Sequence, residues 1–302
     1  MRNISVKGYY RIQKIGLLFL LITPAFIMFT LFVVIPVFQA GLYSLYRWKG
    51  AGPLNKDNFQ GINNFIKLFR ENYFRTAFWN SIKIVVLSLF LQLPVAFMFA
   101  LLVGRKKFAG SVVFRSFYFF PYVLTEIIVG IIWKFIYDPK LGLPSLFSRI
   151  FGDGDTIAFL ASPDQAFGAI FVVIFWKYLG YHMVLYIAGL QNVPKELENA
   201  AVIDGANKFQ VIWHVVIPSI RGTIMMSVFL SIIGSFNVFD VVWAMGQGGP
   251  LHSTETLVTY LYNFGFKRFA FGKGSAVAVL IFLMCFVFNI LYQKFVVKDG
   301  DK

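Results

Sequence analysis

The side chains that do most protein chemistry are few in this chain and badly spaced for it. The three histidines, His182, His214 and His252, fall on separate segments, unlike the close pairings that hold zinc, so no metal site is expected. The single cysteine, Cys285, lies inside an apolar run with no second thiol to pair with, and no Gly-x-Ser-x-Gly elbow or Cys/His pairing marks a nucleophile. A nucleotide phosphate cradle needs the spacing GxxxxGKS/T; "GKGSA", from Gly272 to Ala276, lacks the upstream glycine. The polar residues that stand out are those stranded in apolar surroundings, Glu126, Lys177, Asn237 and Asn289. Such groups are expensive at membrane depth and tend to face a bundle interior or a water-filled path. They define a candidate path and not a candidate catalyst.

The elements that carry these residues are read from composition. Of the 302 residues 58% are hydrophobic and 14% charged, and mean hydropathy is +0.69, outside the range of soluble globular domains. Six apolar runs are long enough to cross a bilayer as helices: 15–38, 82–103, 117–136, 167–190, 218–242 and 276–297. The expected fold is therefore an all-α polytopic bundle of six transmembrane helices. Pro24, Pro94 and Pro121 fall inside the first three runs, where kinks are expected and neighbouring groups re-satisfy the freed backbone. With no internal repeat or low-complexity linker, residues 1–302 read as one membrane domain.

Charge sets the orientation. The formal charge of +14 comes from basic residues beside the apolar runs, so anionic lipid headgroups account for it and nucleic acid does not. Arg105, Lys106, Lys107 and Arg115 crowd the short connection after the second run with no acid among them, which places that loop in the cytoplasm. Residues 1–14 are basic and agree, and an even number of spans returns the C-terminus to the same side, N-in and C-in. The opposing signal is the first outer loop, which carries Arg47, Lys49, Lys56, Lys67, Arg70 and Arg75.

In this topology residues 192–217 face the cytoplasm. Asn192 is expected to cap a helix beginning near Pro194, with Glu196 and Glu198 at the positive end of its dipole. Gly205 ends that helix in the left-handed conformation. Asn207 caps a second helix in which Phe209, Ile212 and Val216 recur at helical spacing, and Pro218 opens the next run. Ala200, Ala201 and Ala206 leave a flank that another protein can approach closely. The device is either a docking knob or an amphipathic connector lying on the inner leaflet.

"VPKELENAAVIDGANKFQVIWHVVIP" resembles the Glu-Ala-Ala loop of the permease subunits of ATP-binding-cassette importers. The resemblance extends over about residues 12 to 297: "FQGINNFIKLFRENYFRTAFWNSI", "RSFYFFPYVLTEIIVGIIWKFIYDPKLG", "FWKYLGYHMVLYIAGLQNVPKEL" and "GGPLHSTETLVTYLYNFGF" are similar to segments of the maltose- and glycerol-phosphate-type carbohydrate permeases. It implies a type I importer permease fold and a non-enzymatic role in sugar uptake in a bacterial or archaeal plasma membrane. It also implies a second homologous permease subunit, two ATPase subunits that bind the ATP and Mg, and an extracytoplasmic solute-binding protein. Glu196, Glu198, Asn199, Ala200, Ala201, Asp204, Gly205 and Ala206 then form the ATPase-coupling segment. Asn199 stands where the family has its leading Glu, so the ion pair ascribed to that Glu is not available from this position; Glu198, about 100° around the helix, is the nearest carboxylate.

The resemblance also gives the polar path its cargo. Trp176, Tyr181, Phe236 and Phe239 offer flat faces for sugar C–H surfaces beside Glu126, Lys177, Asn237 and Asn289. Each has an alternative. Lys177 can be satisfied by a backbone carbonyl or by Glu126, the asparagines can serve packing, and Ser227, Ser231, Ser235 and Gly234 follow the spacing that lets helices approach closely. Gly248, Gly249 and Pro250 form either an ordinary outer turn or, by the resemblance, a contact with the solute-binding protein. The competing function is an ion-driven secondary transporter using Glu126 and Asp240, which predicts matched broken helices in two halves and leaves 196–220 unexplained.

Overall fold

The computed structural model describes residues 6–104, 110–151 and 158–294. Among these residues the chain is helical throughout, with one isolated antiparallel bridge between Tyr46 and Phe59. Helices suit an apolar solvent because they satisfy their own backbone groups. In chain order they are α1 (residues 6–44), α2 (Asn63–Arg70), α3 (Asn72–Gly104), α4 (Ser111–Val123), α5 (Glu126–Ile136), α6 (Leu143–Phe151), α7 (Pro163–Gln191), α8 (Lys195–Ile203), α9 (Lys208–Ser219), α10 (Arg221–Phe236), α11 (Asp240–Gly246), α12 (residues 257–266) and α13 (Phe271–Tyr292).

Four helices are long and apolar enough to cross a membrane unaided, and two bent pairs bring the total to as many as six. The bends correct the simple picture of the third and fifth runs. Run 117–136 is α4 and α5, which meet at 100° because Leu124 and Thr125 are extended, with ψ of 143° and 147°. Run 218–242 breaks twice: α9 and α10 meet at 73° around Ile220, and α10 stops at Phe236 before the short α11. Pro218 thus belongs to the limb before the bend. The first helix also runs past Phe38 to Ser44, and the second begins ten residues before Ile82. The basic connection at 105–107, the first five residues and the end of the sixth run at 295–297 lie outside the described residues.

Proline shapes three helices in one way. A π-helical turn at Thr30–Val34 precedes Pro36, another at Ser88–Gln92 precedes Pro94, and a third at Ile212–Val216 precedes Pro218. Proline lacks an N–H and its ring collides with the carbonyl four residues back. That residue is Phe32, Phe90 or His214, the middle of each widened turn. The i to i+5 ring makes the room, and the helix continues through Pro94 from Asn72 to Gly104.

Buried side chains form three clusters. One joins the N-terminal half of α3 to α12 and α13 through Phe74, Leu257, Tyr260 and Val277. A second joins α5, α7 and α11 through Val129, Ile174 and Val241. The third packs Ala96, Met183, Tyr186 and Leu190 of α3 and α7 against Val211, Val216 and Ile220. α7 threads the second and third and is the most enclosed span, whereas the apolar window of α1 has none of its residues buried. Gly180 lets α4 touch α7 backbone to backbone, since a Cβ there would fall 1.9 Å from the Tyr118 carbonyl oxygen.

Candidate functional site

The loop at 192–217 is an anchored elbow. α8 ends in a Schellman motif: the Gly205 N–H donates to the Val202 carbonyl at 3.0 Å and the Ala206 N–H to that of Ala201 at 2.9 Å, with Gly205 at φ +87°, as a left-handed C-cap requires. The second limb opens with a reciprocal capping box, in which Asn207 Oδ1 accepts from the Gln210 N–H at 2.9 Å and Gln210 Oε1 from the Asn207 N–H at 2.8 Å. The expected cap of the first limb is corrected. Asn192 closes α7, and Pro194 precedes α8 without a side-chain cap, because its ring fixes φ near −61° ahead of the first turn.

Packing decides which face looks outward. Val211 and Val216 are 6% and 0% exposed and join the α3 and α7 core, as Ala201 and Ala206 do in part. Ala200, Asn199, Glu196, Asp204 and Gly205 are exposed, and Glu198 is half-buried. Outside them stand Ile203 at 84% exposure, Phe209 at 72% and Trp213, the two rings stacked at 6.2 Å. Phe209 and Val216, expected on one stripe, differ in burial, 72% against 0% exposed, with the π turn Ile212–Val216 lying between Phe209 and the end of that stripe. An elbow rooted in the bundle with an apolar outer rim is made for contact with something beyond itself.

Of the polar residues of the expected path, Lys177 and Glu126 come together around Tyr178, and the others lie apart from them. Lys177, 3% exposed, donates to the Leu124 carbonyl at 2.6 Å and reaches the Tyr122 carbonyl at 3.4 Å, the groups freed where α4 breaks from α5. Glu126, at the start of α5, accepts from the Tyr178 hydroxyl. These two residues hold a joint in the fold. Phe236 is buried in the first cluster, Asn237 donates to its own helix at Ile233, Phe239 stacks on Trp243 at 5.3 Å, Trp176 packs on Trp133, and Asn289 is half-buried on α13.

A cavity of about 180 Å³ opens instead between α3, α4, α7 and α10. Tyr181 alone of the eight expected residues lines it, stacked on Tyr122 at 4.5 Å. Beside it are Ser88 and Gln92 from the π turn of α3, His182 from α7, and Ser231 and Ser235 from α10. His182 Nδ1 bonds to Ser227 Oγ at 2.8 Å. The serines were legible as a small-residue stripe, which the cavity uses as a wall; Gln92 is a polar residue stranded in an apolar run, a signal of the same kind as that of Asn237 or Asn289, and it was missed.

The turn at 247–256, expected on the outer side, is built around a buried carboxylate. Glu255 is fully buried and pairs with His252 Nδ1 at 2.9 Å, Asn263 Nδ2 at 2.8 Å and Thr259 Oγ1 at 2.6 Å. Gly248, at φ +91°, presses on that carboxylate so closely that a Cβ would lie 2.5 Å from Glu255 Cδ. Asn80 of α3 donates to the Ser253 and Glu255 carbonyls. Gly248 is buried, Gly249 and Pro250 are half-buried, and the tip is Leu251, 84% exposed. Nearby, Lys273 pairs with Glu71 at 2.5 Å, which also accepts from Tyr260 at 2.7 Å; burial first, and that bond second, raise the Tyr260 phenol above its ordinary range. Among the described residues no group of three His, Cys, Asp or Glu could hold a metal.

Comparison with known proteins follows this geometry. Residues 92–297 match the family model of the binding-protein-dependent transport system inner membrane component. The chain is 35% identical over 279 residues to the diacetylchitobiose uptake system permease protein NgcF of Streptomyces coelicolor, covering 87% of this chain and 77% of that one. It is 30% identical over 279 residues to the probable ABC transporter permease protein YurN of Bacillus subtilis, covering 92% and 94%. In fold it is similar to a chain of a bacterial alginate ABC transporter crystallised with an alginate pentasaccharide-bound periplasmic protein, at a TM-score of 0.80, 20% identity and 95% and 96% coverage.

Proposed function

Because the chain belongs to the family of binding-protein-dependent transport system inner membrane components, we propose that it forms half of the membrane path of an ATP-driven sugar importer and is worked through its cytoplasmic elbow. It is a permease and not an enzyme. ATP and Mg are assigned to two ATPase subunits docking from the cytoplasm, and sugar delivery to an outer binding protein. A second, homologous permease completes the path, and the unburied first helix leaves area for lipid or that partner. The setting is a bacterial or archaeal plasma membrane, the chain crossing six times, N-in and C-in.

The observation that carries this reading is the elbow's double attachment: Val211 and Val216 are sunk in the core that α3 and α7 share, while Ile203, Phe209 and Trp213 face outward. A push on the rim is thereby a push on the two helices that wall the cavity. Coupling of this kind biases a two-state equilibrium and needs different contacts in each state. The Glu255-braced turn supports contact of its tip with the binding protein, with Gly248, Gly249 and Pro250 shaping that tip from beneath. A diacetylchitobiose permease among the relatives supports a saccharide cargo. Reconstitution tests the reading: uptake of radiolabelled sugar into proteoliposomes requires ATP, the ATPase and the binding protein, and uptake by the chain alone on an ion gradient overturns it.

A further inference from the structure

The cavity contains an unsatisfied donor. Gln92 is 1% exposed, lines the cavity, and its side-chain amide nitrogen is fully buried with no hydrogen-bond partner. A buried amide left unpaired costs about 1–3 kcal/mol, and a membrane helix has ample apolar alternatives to glutamine. The π turn before Pro94 presents it, and such turns recur at functional sites. Around it stand Ser88, Ser231, His182 and the stacked faces of Tyr122 and Tyr181. Among the described residues no lysine, arginine, aspartate or glutamate lines the space; the Lys177 ammonium, beside the Tyr122 and Tyr178 rings of its wall, is held by the Tyr122 and Leu124 carbonyls.

We infer that Gln92 is a specificity-determining residue of the transport path, whose amide donates to a hydroxyl of an uncharged sugar ring lying against Tyr122 and Tyr181. Aromatic faces meet the ring's C–H surface, and neutral donors and acceptors meet its hydroxyls. A phosphate or carboxylate entering the same space finds no counter-charge and pays the full desolvation of an ion. The inference rests on the importer reading above, and its test separates the two.

The complete complex with its binding protein is placed in proteoliposomes, and uptake of radiolabelled maltose, trehalose, lactose and N-acetylglucosamine is measured together with ATP hydrolysis. Failure of the wild-type complex to accumulate any of them with ATP counts against the importer reading. With the sugar that is accumulated, Gln92→Leu should lower uptake roughly fivefold, the weight of one hydrogen bond, while ATP hydrolysis stimulated by the loaded binding protein is kept. ATP consumed per sugar then rises by the same factor. Ser231→Ala, a smaller change on the opposite wall, should raise that ratio in the same direction. An unchanged ratio in both variants, whether uptake is normal or falls in step with hydrolysis, overturns the role of Gln92.

Discussion

At the scale of single residues, the charged groups inside the bundle are joints. Lys177 was legible as an anomaly of an apolar run, and its partner was one of the options open to it, yet no pattern in the sequence told that α4 would break at Leu124 and leave carbonyls for it. Lys177→Met should leave two carbonyls unpaired at about 1–3 kcal/mol each. The apparent Tm of the solubilised complex should fall by several degrees, whereas an unchanged melting curve would remove Lys177 from the joint. Glu255 has the same character in the turn at 247–256: Glu255→Ala takes from His252 its carboxylate partner and leaves Asn263 and Thr259 with only the Gln247 and Thr256 carbonyls. Binding-protein-stimulated ATP hydrolysis should drop severalfold with ATPase co-purification intact, and full stimulation would show that the braced turn has no part in docking.

At the scale of elements, the parts governed by local rules were readable and those governed by packing were not. Gly205 as a left-handed stop and Asn207 as a cap follow from chain chemistry within a few residues, and both stand as expected. Asn192 failed as a cap because Pro194 sets the start of α8 instead. The apolar runs located the long apolar helices but not their breaks, since hydropathy sums over a window and is blind to a two-residue change of ψ. Glu126, Phe236, Asn237 and Phe239 stand at the ends of helices beside those breaks, so the side each one faces is set by the bend and not by the helical period. Gly205→Pro, which cannot adopt φ +87°, and Ala200→Arg, which adds bulk to the exposed flank, should each abolish co-purification of the ATPase while membrane insertion persists. Undiminished co-purification of both variants would refute the assignment of α8.

At the scale of the whole molecule, the fold is a lever. The elbow packs on the C-terminal ends of α3 and α7, and the same two helices carry Gln92, Tyr181 and His182 into the cavity; α7 also packs in the cluster of α5 and α11. A displacement at the elbow's exposed rim therefore has a packed route to the cavity. The direct test of this arrangement is the accessibility of a single thiol at the elbow, placed as Ala200→Cys in a Cys285→Ser chain and probed with a membrane-impermeant maleimide. The account predicts no labelling from outside intact cells, ready labelling in inverted vesicles stripped of the ATPase, and protection once the ATPase is restored. Labelling from the outside, or equal labelling with and without the bound ATPase, would contradict it.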